Sequence, residues 1–131
     1  MLYTKCILKP RVAEEGTRIS IMSGHTLQDG KTPDPRITSD LFDEHIPELA
    51  PSRRLLGDYY KRGLDWPTFE RCFLREIEGE RQKHLIAELA RRALAENITL
   101  LCIEDAIHFC HRRLVAERCK ALEPSLAVVH V

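Results

Sequence analysis

The sequence has no long apolar run, no excess of charge of either sign and no paired-cysteine knuckle, and each absence removes a class of protein. No stretch approaches the ~20 apolar residues that cross a bilayer. The opening Met1-Leu2-Tyr3-Thr4-Lys5-Cys6 has too little apolar length for a secretory signal. Twenty basic residues balance twenty acidic ones, which disfavours a nucleic-acid partner, because a phosphate backbone calls for a basic excess or stripe. The five cysteines, Cys6, Cys72, Cys102, Cys110 and Cys119, are odd in number and scattered, so reduced thiols in a cytoplasmic protein are expected. Repeats and low-complexity segments are absent.

What is there fits one domain spanning residues 1–131, long enough for a single core. Residues 2–8 alternate and read as a strand, paired on one side or at an edge. Arg18–Met22 alternates too. Periodicity vanishes over residues 23–47, where Gly24, Gly30, Pro33, Pro35 and Pro47 punctuate a polar stretch with room for a helical turn around Ser39–His45. A connection this long is often a lid or binding loop.

Three helices follow. Ser52 caps the first, which presents Leu55, Leu56, Tyr59 and Tyr60 and stops at Gly63. Asp65-Trp66-Pro67 opens the second, lined by Phe69, Phe73 and Ile77. The third covers about residues 80–96, with Asn97 as a left-handed terminator. The run 98–103 is apolar on both faces, as in a central parallel strand covered by helices on each side. A helix at 111–122 and a strand at Leu126–Val131 close the chain. The order predicts a small layered α/β domain with a short, mainly parallel central sheet flanked by helices.

Chemistry concentrates at the end of that apolar run. Cys102 and Glu104 share a strand face at the carboxyl end, where ligands of open α/β sheets settle. The next helix starts at about Cys110 or His111, and its free N–H groups favour an anion. The same field, with Arg112, would raise the thiolate fraction of Cys110. Helical spacing sets His111 over Val115 and Leu122 toward the core. Arg112 lies over Ala116 and Cys119, and Arg113 on a charged face with Glu117 and Lys120. Arg112 is therefore the candidate fork for a carboxylate or phosphate, either Glu104 in an internal salt bridge or a ligand. If the strand at 18–22 runs parallel to 98–103, His25 and Thr26 emerge at the same sheet edge as an opposite wall. A metal is the rival reading, with Cys102, His108, Cys110 and His111 as up to four donors that zinc or iron would accept, Cys102, His108 and Cys110 foremost. Cys110 and His111 are poor joint ligands, since neighbours in a helix diverge by ~100°.

The segment Thr99-Leu100-Leu101-Cys102-Ile103-Glu104 through Cys110-His111-Arg112 resembles domain of unknown function family 488, small bacterial and archaeal proteins. Tyr3-Thr4-Lys5, Leu49-Ala50-Pro51-Ser52 with Leu55 and Tyr59 or Tyr60, and Trp66 with Phe69 and Arg71 extend the likeness along most of the chain. The resemblance implies an α/β fold and a site around Cys102, Glu104, Cys110, His111 and Arg112, with no established reaction. Many relatives carry an arginine segment of the Trp-Pro-Arg-Gly kind after the second strand. Here Ser23-Gly24-His25-Thr26-Leu27 stands in its place, so that a basic wall is missing or comes from Arg36.

Three functions follow as expectations. One is an enzyme acting on a small anionic or nucleotide-like substrate, with Cys110 or Cys102 as nucleophile or redox thiol, Arg112 as anion clamp and Glu104 as the proton-transferring or orienting carboxylate. The second is a non-catalytic binding or regulatory module for an anion or metal. The third is a structural domain without a ligand. No cofactor is named by the residues, no membrane partner is expected, and self-association into a homo-oligomer stays open.

Overall fold

The computed structural model describes residues 1–131. Strands β1 (Leu2–Cys6), β2 (Thr17–Ser20) and β3 (Glu44–His45) come first, helices α1 (Arg53–Lys61), α2 (Trp66–Glu76) and α3 (Glu80–Ala95) follow, and β4 (Ile98–Cys102), α4 (His111–Leu122) and β5 (Val128–His130) close the chain. They form one sheet in the order β3-β2-β4-β1-β5, and every pairing is parallel. The α/β class and parallel sheet predicted from the sequence are both present. No helix is long and apolar enough to cross a membrane.

All five residues of β4 are buried, as a strand with two paired neighbours should be. The strand β1 departs from its reading as an edge. It lies between β4 and β5, and its alternation arises because its two faces meet different material. Leu2, Ile19, Ile98 and Leu100 face a cluster that draws on all four helices, including Phe69, Phe73, Leu89, Leu114 and Val115. On the opposite face Lys5, Arg18 and Thr99 are buried under Glu15 and the turns around it. Helices therefore layer one side of the sheet, and loop segments seal the other, which corrects the expectation of helices on each side of β4: loops bury its second face as fully as a helix would.

Local signals set both ends of α1 but not those of its neighbours. The Ser52 hydroxyl accepts from the Leu55 N–H at 3.2 Å to cap α1, and Gly63 past its end takes a positive φ of 73°, open to glycine without strain. Asn97 does not act as a left-handed stop, since no residue other than glycine has positive φ. Its amide instead donates to the Glu14 carbonyl at 2.7 Å. Asp65 precedes α2 without a side-chain capping bond. Leu122, expected to face the core, is 54% exposed in the last turn of α4.

The long connection hides one strand. The N–H of Asp43 donates to Arg18 at 2.8 Å and that of Ile46 to Ser20 at 2.9 Å, which secures β3 beside β2. Two residues are too few to leave an alternation in the sequence.

Candidate functional site

The strands β2 and β4 end side by side, where the Ile21 N–H donates to the Leu101 carbonyl at 3.1 Å. Over these ends lies a cavity of about 830 Å³, within the size range of small-molecule sites. Cys102, Glu104 and His111 border it from the sheet side, Thr26 and Arg36 from the long loop, and Arg53, Tyr60 and Lys61 from α1.

Cys102 and Cys110 are bonded sulfur to sulfur, whereas Cys6, Cys72 and Cys119 are free. This corrects the expectation of five reduced thiols, because the short loop after β4 folds Cys110 back against the strand. Cys110 is the N-cap of α4 and has extended backbone, φ −134° and ψ 137°. The angular offset of helical neighbours therefore does not separate it from His111. Ligating atoms of Cys102, Cys110 and His111 lie within 4.8 Å of one another. His108, named with the two cysteines as the alternative metal set, is exposed in the preceding turn and stands outside this group.

Arg112 is fully buried. Its Nη1 donates to the Cys102 sulfur at 3.1 Å and to the Glu104 backbone carbonyl, and Nη2 reaches the Asp105 carbonyl at 3.4 Å. Its Nε has no partner. The internal salt bridge considered from the sequence is not formed, because the Glu104 carboxylate turns to the Tyr60 hydroxyl on α1. Nor does Arg112 border the cavity. The guanidinium touches the cavity lining through the Cys102 sulfur and the Glu104 carbonyl, and the charge expected beside Cys110 is placed on Cys102 instead. Burial pulls the Arg112 pKa down, with Cys6, Asp105 and Glu104 opposing.

His111 Nε2 lies 2.7 Å from the Ile21 carbonyl. A carbonyl only accepts, so Nε2 holds the proton and Nδ1 keeps a lone pair. Burial lowers the pKa to about 4, leaving the ring neutral near pH 7. Phe73 meets its ring edge to face, centroids 5.4 Å apart.

The two expected loop residues separate. Thr26 borders the cavity, and His25 does not. His25 is bonded to the Ser20 hydroxyl at 2.8 Å and packs against His45 and Phe42. Burial and the neighbouring His45 lower its pKa. Arg36 does stand in the wall, as the missing arginine segment suggested, but it is paired with Asp34 at 2.8 Å.

Sequence reasoning assigned Tyr60 to the core and Arg53 and Lys61 to solvated faces. All three border the cavity. Their 3.6-residue spacing on α1 was visible, but which neighbour that helix would meet was not.

Fold and site together define a parallel α/β protein with a cavity over its strand ends, bordered by one sulfur of a cysteine pair. Residues 2–122 match the family model described as the active DUF488-N3 subclade, and the chain belongs to the DUF488 family. Comparison with curated proteins and with solved structures gave no match.

Proposed function

We propose that the protein binds a small anionic ligand in this cavity and acts on it through the Cys102–Cys110 pair. The observation behind the reading is the 3.1 Å bond from the Arg112 guanidinium to the Cys102 sulfur, made by an arginine with no carboxylate partner. A buried cation that donates to sulfur favours the thiolate, which is the nucleophilic form. Cys102 borders the cavity and Cys110 lies behind it, so Cys102 is the attacking sulfur and Cys110 the resolving one. Lys31, Arg53 and Lys61 at the mouth form no ion pairs within the chain, and such unpaired cations draw an anion toward the cavity. The description of the matching subclade as active is in keeping with chemistry at this position.

The step balances as thiol–disulfide exchange. The Cys102 thiolate attacks one sulfur of a small anionic disulfide and expels the other as a thiolate. Cys110 then attacks the Cys102 sulfur and releases the second half, so the ligand gains two electrons and the pair closes. Oxidised glutathione, a small anionic disulfide, serves as the probe. Incubated with the reduced chain, it should modify Cys102 first and then leave the Cys102–Cys110 bond. Cys110→Ser should trap the adduct on Cys102. Modification of Cys102 no faster than of the half-buried Cys72 would overturn the reading.

A further inference from the structure

The cysteine pair has a third neighbour that exchange chemistry does not use. His111 is nine-tenths buried, its Nε2 is fixed on the Ile21 carbonyl, and its Nδ1 makes no hydrogen bond. Metal-bound histidines are oriented in this way, with one ring nitrogen tied to a backbone carbonyl and the other left to the ion. The Cα atoms of Cys102 and Cys110 stand 7.6 Å apart, beyond the roughly 4.4–6.8 Å usual for a direct bond. One ion taking each sulfur at ~2.3 Å suits that span.

We infer that in the reduced protein Cys102, Cys110 and His111 form a three-donor site for a thiophilic divalent cation of the zinc class. Two thiolates and a neutral imidazole are the donors such an ion prefers. Cys102 and His111 border the cavity, so the fourth position opens toward it. Three protein ligands with one open position is the arrangement of sites that exchange water or a ligand. The Arg112 N–H to the Cys102 sulfur then serves as an outer hydrogen bond to a metal thiolate. The inference rests on the reading of Cys102 and Cys110 as an interconverting pair. Metal and disulfide exclude each other, so bound zinc holds the pair reduced and silences Cys102 as a nucleophile.

The test uses the reduced full-length chain, with Co²⁺ as a spectroscopic probe and Zn²⁺ in competition with a chromophoric chelator. One equivalent of cobalt should bind with tetrahedral visible bands and a near-ultraviolet thiolate band, and zinc should displace it. Cys102→Ser or Cys110→Ser should abolish binding. His111→Ala should weaken it by at least the roughly 10–100-fold typical of losing an outer partner, while His108→Ala leaves it unchanged. Should His111→Ala fail to fold, the cobalt spectrum of the unaltered chain decides alone, since its charge-transfer intensity counts the thiolates. Zinc should also slow modification of Cys102 by oxidised glutathione.

Metal affinity no greater than that of the Cys102→Ser chain would overturn the inference. If Cys102 then still exchanges rapidly, only the metal site is lost. If it does neither, the thiol reading falls as well.

Discussion

Two arginines are fully buried in this fold, and they are neutralised in opposite ways. Arg18 on β2 meets the Glu15 carboxylate at 2.8 Å, which Lys5 also contacts at 2.9 Å, and its remaining donors take the carbonyls of Ile7, Lys9 and Leu41. Arg112 on α4 has carbonyls too, but a cysteine sulfur in place of the acid. A guanidinium paired with a carboxylate has its charge answered within the fold, and it fixes loop to sheet. One held by carbonyls and a sulfur, with no ion pair of its own, keeps a field that favours negative charge on that sulfur. The first arrangement is structural, and the second suits chemistry.

The largest effect expected from this contrast is at Glu15. Replacing it with Gln leaves Lys5 and Arg18 buried without an anion, and breaking a buried pair in this way costs about 3–5 kcal/mol. Urea unfolding measures the loss, and a change below ~1 kcal/mol, the level of an exposed pair, would erase the distinction.

Acid should expose the same difference. Burial pushes the Glu15 pKa up, but bonds from Lys5, Arg18 and the Val12 N–H outweigh it, and the carboxyl titrates below its ordinary value. A group depressed in the folded state stabilises above its unfolded pKa, ~4.3 for Glu, and that stability is lost as pH falls through the folded value. As pH falls below ~4.3, the unaltered chain should lose more stability than Glu15→Gln does. Parallel curves would contradict the assignment.

Arg112→Met sharpens the comparison from the other side. No acid is stranded by it, so the cost is that of a few backbone bonds, roughly 1–3 kcal/mol, and less than that of Arg18→Met in the same urea assay. A smaller effect still is expected at the Tyr60–Glu104 contact. Tyr60 is 37% exposed, and Tyr60→Phe should reduce stability by about 0.5–1.5 kcal/mol, measured by thermal unfolding.

The two buried arginines also mark how far the sequence could be read. An apolar run with no polar break made β4 legible as a central strand, and Cys102, Glu104 and the start of α4 followed from its end. Arg112 was singled out because Ala116 and Cys119 share its flank, and all three are buried. Arg18 carries no such signal, because an arginine in an alternating strand reads as solvent-facing until something covers that face. The cover comes from Glu15 and the turns near Leu41, segments without periodicity. Likewise Cys110 and His111 converge only because Cys110 is extended, a backbone choice that no spacing rule conveys. Tyr60 was placed inward with Tyr59, and only tertiary packing turned its hydroxyl toward Glu104. Periodic elements were readable, whereas contacts made by irregular segments were not.

The proposed chemistry depends on activation of Cys102 by Arg112, and the rate of Cys102 alkylation by iodoacetamide at neutral pH reads that activation. In the reduced, metal-free chain Cys102 should react faster than Cys72, while Cys119, whose thiol is pushed up to about 12 by burial, stays inert. Arg112→Met should slow Cys102 by about tenfold, because the thiolate loses the neighbouring cation that favours it. Equal rates at Cys102 with and without the guanidinium, in two chains that both fold, would contradict the account.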